Sequence, residues 1–207
     1  MPIITISRLF GSGGSEVAER VSRALGWSLL DNAFVDAVAE RLGVSPEEVT
    51  LREERVPSLA ERLASALTLG SPETLPPPEA ALEGPTEERL VEVTRRVVEE
   101  AVARGPVVLV GRGAQAMLAE RGDVLHVFCY APKSALVERA AKRLGISAVE
   151  AERVVEETNK QREQYVKRNW HRDWRALENY HVCVNTEGLG IDGAALALVQ
   201  LARERFA

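Results

Sequence analysis

Three glycines, Gly11, Gly13 and Gly14, stand between a short β-branched run, Ile3-Ile4-Thr5-Ile6, and a helical pattern with Val17, Val21, Ala24 and Leu25 on one face. A strand, a glycine-rich turn and a helix in that order strongly constrain a chain. The glycines let successive backbone N–H groups converge, and the helix start adds the positive end of its dipole, so the turn is shaped to hold an anion. A tight connection with no ligand also uses glycine, so the loop alone does not decide between the two.

The rest of the chain supplies the frame. Gly26 is a natural stop for the first helix, and Trp27–Leu30 reads as a second strand ended by Asp31-Asn32. A helix is predicted from about Ala33 to Leu42, and Ser45-Pro46-Glu47-Glu48 resembles another helix start. Residues 71–85 hold half of the ten prolines and read as an irregular connection. From Pro85 to Gly105 an amphipathic helix carries Leu90, Val91, Val97, Val98 and Ala101. Pro106–Val110 is a continuous apolar run, as in a strand buried on both faces, and Val124–Tyr130 and His181–Val184 are two more strands. Helical patterns at about 113–120, 133–144, 147–168 and 191–205 alternate with them, which predicts a parallel α/β sheet.

The full phosphate-loop pattern is G-x-x-x-x-G-K-[ST]. Laid on this chain, Gly13 takes the second glycine and Ser15 the hydroxyl that reaches magnesium, but Arg8 stands at the first glycine and Gly14 at the lysine. No lysine precedes Lys133; the four lysines are Lys133, Lys142, Lys160 and Lys167, against 22 arginines among the 26 Lys+Arg. Positive charge for a bound phosphate must therefore come from arginine or from the far half of the chain. The dinucleotide pattern G-x-G-x-x-G fits worse, because residue 16 is Glu.

Composition narrows the class further. With 207 residues and a formal net charge of −5, a single domain without the basic excess of nucleic-acid or membrane-surface binders is expected. No apolar run reaches the ~20 residues of a membrane span and no signal-peptide pattern opens the chain, so a cytoplasmic protein is expected. Cys129 and Cys183 lie in apolar stretches and read as buried small hydrophobes. His126, His171 and His181 lack metal-ligand spacing.

Ile4-Thr5-Ile6-Ser7-Arg8, Phe10-Gly11-Ser12-Gly13-Gly14, Val110-Gly111-Arg112-Gly113-Ala114 and Val127-Phe128-Cys129-Tyr130-Ala131-Pro132, with Asn179-Tyr180 and Val184-Asn185-Thr186, together resemble the cytidylate kinase-like family over nearly the whole chain. The resemblance implies a P-loop NTPase fold: a five-stranded parallel sheet flanked by helices, with an inserted helical acceptor-binding lobe at about 32–104 and an arginine-rich lid at about 157–178, all within one domain spanning 1–207.

It also implies roles. Gly11, Ser12, Gly13, Gly14 and Ser15 would hold the phosphates of ATP, with Ser15 on Mg²⁺. Arg8, Arg112, Arg139 and Arg162 would face the transferring or acceptor phosphates, and Arg143 matches a further family arginine. Lys160 is a candidate stand-in for the loop lysine. Asn159 and Arg162 match an Asp-x-x-Arg element that contacts the monophosphate, with Asn in place of Asp, and Gly113 stands where the cytidylate kinases have aspartate. Asp31 either faces the acceptor or caps a helix. Trp170 and Trp174 read as packing the lid against the body.

Residues 160–175 carry six bases against two acids, a local inversion of charge in an acidic chain. A planar guanidinium binds phosphate oxygens in pairs and stays charged, which suits phosphoryl transfer. The expected activity is transfer of the ATP γ-phosphoryl group to CMP or dCMP. The alternatives are a nucleotide-binding sensor or interaction module with little turnover, and a kinase for another small acceptor. Partners are small nucleotides, without nucleic-acid polymer or membrane, and a homodimer is one option that the sequence leaves open.

Overall fold

The computed structural model describes residues 1–31 and 87–207, together with Arg41 and Gly43. The expected helices near 33–42 and 45, the 71–85 connection and most of the 32–104 lobe lie outside the described residues. In chain order the elements are β1 (Ile3–Arg8), α1 (Gly14–Leu25), β2 (Ser28–Leu30), α2 (Glu87–Arg104), β3 (Val107–Val110), α3 (Ala114–Met117), β4 (Val124–Tyr130), α4 (Lys133–Leu144), α5 (Ala148–Trp170), a 3₁₀ turn at Leu177–Asn179, β5 (Val182–Asn185) and α6 (Thr186–Arg205).

The five strands form one sheet in the order β2-β3-β1-β4-β5, and every pairing is parallel. Ile4 and Ile6 of β1 face a core that Val17 and Val21 of α1 and Ala194 and Leu198 of α6 complete. Ile3 faces the other side, with Leu90, Val93, Val97 and Val98 of α2 and Leu118. The hydrophobic run in β3 is buried at all four positions, as a central parallel strand requires.

Strand order also locates the site. From β1 the chain leaves toward β2, on one side; from β3, the neighbour of β1, it leaves toward β4, on the other. The crevice beyond the carboxyl ends of β1 and β3 is therefore the switch point, where open α/β sheets place ligands. The loops that open there are 9–13 and 111–113.

Several boundaries differ from expectation for identifiable reasons. On α1 the buried face is Val17, Ala18, Val21 and Ser22, with Ala24 exposed, because Ala24 lies about 200° around the helix from Ser22. On α2, Val93 and Thr94 are buried and Val91 only partly so. The last helix starts at Thr186 rather than 191, since Asn185 Oδ1 accepts from the N–H groups of Glu187 and Gly188; a break at Gly190 (φ 69°) separates this first turn from the rest. Helix α5 ends at Trp170, with His171 in the left-handed conformation (φ 55°), so Trp170 and Trp174 do not share a helix. Cys129 is buried, but Cys183 is half-buried.

Candidate phosphate-binding site

Loop 9–13 is held from several sides. Leu9 N–H donates to the Cys129 carbonyl (3.0 Å) and Ser12 N–H to the Leu9 carbonyl (3.1 Å). Gly11 (φ 81°) and Gly13 (φ 73°) take the left-handed conformation, which glycine adopts without penalty. Gly13 sits at the N-cap of α1. A β-carbon on Gly11 would run into the Leu136 carbonyl, and one on Gly13 into Ile191 Cδ1, so α4 and α6 press the loop into shape.

Gly14 is constrained differently. Its β-carbon would lie 2.5 Å from Arg8 Cβ, 3.0 Å from Arg8 Cγ and 3.2 Å from Cys129 Cβ. The first turn of α1 therefore rests directly on the stem of Arg8, and the space a lysine stem would need at position 14 is taken.

A cleft of about 690 Å³ opens over the loop, within the usual size of a small-ligand site. Gly11, Gly13, Gly14 and Ser15 line it, together with Arg8, Asp31, Arg112, Arg139, Arg143 and Arg162. Lys142, Phe10 and Ile191, given no site role in the sequence analysis, line it too. A smaller inner pocket of about 50 Å³ adjoins the carboxyl ends of β1 and β3, and Arg8, Arg112 and Arg162 border both spaces. Two acids, Glu16 and Asp31, line the cleft as well, and Asp31 Oδ1 is 3.9 Å from Arg8 Nη2.

Burial and like charge act together on Arg112. Burial pushes its pKa down to about 10, and the nearby charge of Arg8 adds to the fall, while Tyr165 and Asp31 oppose it. Arg112 also has φ 55°, between Gly111 (φ 72°) and Gly113 (φ 69°). A non-glycine residue held in that region beside other cations is the kind of local cost that functional sites carry, and an anion would relieve the charge.

Arg139 is occupied from below: its guanidinium donates to Thr186 Oγ1 (3.2 Å), to the Ser12 carbonyl (3.5 Å) and to Glu187 Oε2 (2.5 Å). It braces the loop as well as lining the cleft. Thr186 Oγ1 donates to the Ser12 carbonyl at 2.6 Å; the 184–186 motif carries this brace, but its partner lies too far along the chain to be read from sequence.

Three expected site residues are placed elsewhere. The side chain of Ser12 is fully buried, not among those lining the cleft, so Ser12 offers the cleft no hydroxyl. Asn159 is 5% exposed, and its Oδ1 accepts the Phe10 N–H at 2.8 Å, so it faces the loop backbone rather than the cleft. Lys160 is exposed on α5 and does not line the cleft; the helix rotation that turns Asn159 and Arg162 inward turns Lys160 out.

Trp170 and Trp174 pack against neighbouring aromatic rings. Trp174 is buried against Phe128, edge to face at 5.4 Å, and Trp170 meets Tyr165 at 5.3 Å. The Trp170 ring also fills the space a side chain on Gly113 would need. Cys129 is chemically quiet, since burial pushes its thiol up to about 12. No described helix is long and apolar enough to cross a membrane.

The sequence profile of the cytidylate kinase-like family matches residues 3–188. No curated protein matches the sequence. Among solved structures, an uncharacterized protein from Eubacterium ventriosum superposes with a TM-score of 0.70 at 17% identity, over 98% of this chain and 99% of that one. A gluconokinase from Sinorhizobium meliloti follows at 0.55 and 19% identity, over 99% and 95%. Shikimate kinase from Bacteroides thetaiotaomicron gives 0.53 and 14%, over 98% of each chain. At these identities the likeness is one of fold, and the fold is that of P-loop kinases.

Proposed function

The chain belongs to the cytidylate kinase-like family, and from that premise we propose that it is a phosphotransferase that moves the γ-phosphoryl group of ATP to CMP or dCMP, giving ADP and the diphosphate. The observation that carries this reading is the cleft itself: a glycine loop at a helix start, lined by Arg8, Arg112, Arg139, Arg143 and Arg162.

The residues fit the groups the family implies. The loop and its arginines suit a polyphosphate, and Ser15 and Asp31, which line the same cleft, carry oxygen atoms, the ligand type Mg²⁺ prefers. Mg²⁺, when bound, supplies charge neutralisation at the phosphate oxygens. The protein's part is positioning and electrostatics. Backbone N–H groups of the loop hold the donor phosphates, while Arg8, Arg112 and Arg162, at the wall common to both spaces, balance charge on the group in transfer. An oxygen of the acceptor phosphate attacks the γ-phosphorus, the bond to the β–γ bridging oxygen breaks, and its electron pair leaves on ADP. No covalent enzyme intermediate is needed. In this reading 1–207 is one kinase domain, with the acceptor lobe at about 32–104 and the lid at about 157–178.

One observation favours a second reading. Gly14 has no room for the lysine stem, which suits a nucleotide-binding protein with little turnover. Assay of ADP formation with Mg²⁺ and a panel of monophosphates separates the two. Turnover with CMP or dCMP above other acceptors is expected; ATP binding without turnover on any acceptor overturns the kinase reading.

A further inference from the structure

The segment Arg8–Phe10 leads from β1 into the glycine loop, and α5 grips it at both ends. Asn159 Oδ1 accepts the Phe10 N–H at 2.8 Å. One turn later Arg162 Nη1 donates to the Arg8 carbonyl at 3.0 Å. The guanidinium groups of Arg143 and Arg162 lie 5.7 and 5.8 Å from the Phe10 ring centroid. Between these grips Leu9 N–H is taken by β4, and just beyond them Ser12 N–H donates to the Leu9 carbonyl.

We infer that Asn159 is a positioning residue for the phosphate loop: its side-chain carbonyl holds the Phe10 N–H and so fixes the entry to the loop from α5, rather than contacting the acceptor monophosphate. The chemistry of the substitution supports this. An amide oxygen and a carboxylate both accept from an N–H, but a carboxylate would add negative charge close to Arg8, Arg143 and Arg162 and oppose an incoming phosphate. An amide gives the hydrogen bond without that charge. The inference rests on the cleft being a phosphate site, but not on turnover.

Calorimetric binding of inorganic tripolyphosphate, which needs neither acceptor nor catalysis, tests it together with hydrogen exchange at the Phe10 amide. Asn159→Ala is expected to weaken tripolyphosphate about tenfold, the loss of one positioning hydrogen bond, to speed Phe10 exchange, and to leave CMP binding within about twofold. Asn159→Asp, which keeps an acceptor, is expected to keep the Phe10 amide protected while weakening tripolyphosphate through its charge, and it carries the test if the alanine variant does not fold. Unchanged tripolyphosphate affinity and Phe10 exchange in Asn159→Ala overturn the inference, as does selective loss of CMP binding or loss of Phe10 protection in Asn159→Asp. Failure of the unmodified protein to bind tripolyphosphate overturns the phosphate-site reading itself.

Discussion

Arg8 occupies the space into which a side chain at Gly14 would grow, with the two β-carbon positions 2.5 Å apart. The absent loop lysine is thus matched by an arginine stem that leaves β1 and fills its place. Restoring the lysine is expected to harm the protein. Gly14→Lys should overpack this contact and lower stability by about 1–3 kcal/mol, with Gly14→Ala moving the same way. Urea unfolding checks it; higher turnover at unchanged stability would contradict it.

Gly113 and Trp170 form a second such pair. A β-carbon on Gly113 would lie within contact distance of Trp170 Cη2, Cζ3 and Cε3, and its φ of 69° disfavours any side chain. Gly113→Asp should therefore destabilise. In a double-mutant cycle with Trp170→Ala, the cost should shrink by about 0.5–3 kcal/mol, as for residues in contact. Additive unfolding energies would show that the ring is not what excludes the aspartate.

Lys160 and Arg162 are two positions apart on α5, which rotates them about 200° apart around the helix axis. Lys160→Ala should leave ADP formation within about twofold, whereas Arg162→Ala should lose about 10²–10³, the usual cost of removing one electrostatic contact to a transition state. A large loss in Lys160→Ala would return it to the site.

These residues also mark what was legible in sequence. The strands, the glycine loop and the end of α1 at Gly26 follow from local pattern, because β-branched runs and glycine positions act over a few residues. Arg112 could be placed at the site because it follows the carboxyl end of an apolar strand, and Arg8 because it lies between the first β-branched run and the glycines. Lys160 could not be distinguished from Arg162 by charge, since only the orientation of α5 separates them. The task of Asn159 depends on Phe10, 149 residues away, and that of Thr186 on Ser12, 174 residues away. Contacts of that kind have no local signature.

His126 is expected to make the fold acid-sensitive. Its Nδ1 is 2.7 Å from Thr5 Oγ1, its ring stacks on His181 at 5.2 Å, and burial, followed by the charge of His181, pushes its pKa from 6.5 down to about 4. The unfolded chain then binds a proton that the fold refuses, so stability holds above pH 6.5 and falls as pH drops from there toward 4. Burial also lowers His181, which adds in the same direction. Urea midpoints from pH 7.5 to 4.5 should show this decline, and His126→Gln should reduce it. A decline of equal size in that variant would contradict the assignment.

That arginines replace the loop lysine in phosphoryl transfer is tested most directly by ADP formation from ATP, Mg²⁺ and CMP, comparing the unmodified protein with Arg112→Ala. The expected result is turnover by the unmodified protein and a folded variant slower by about 10²–10³. Wild-type rates in Arg112→Ala, or ATP binding with no ADP from the unmodified protein, would contradict it.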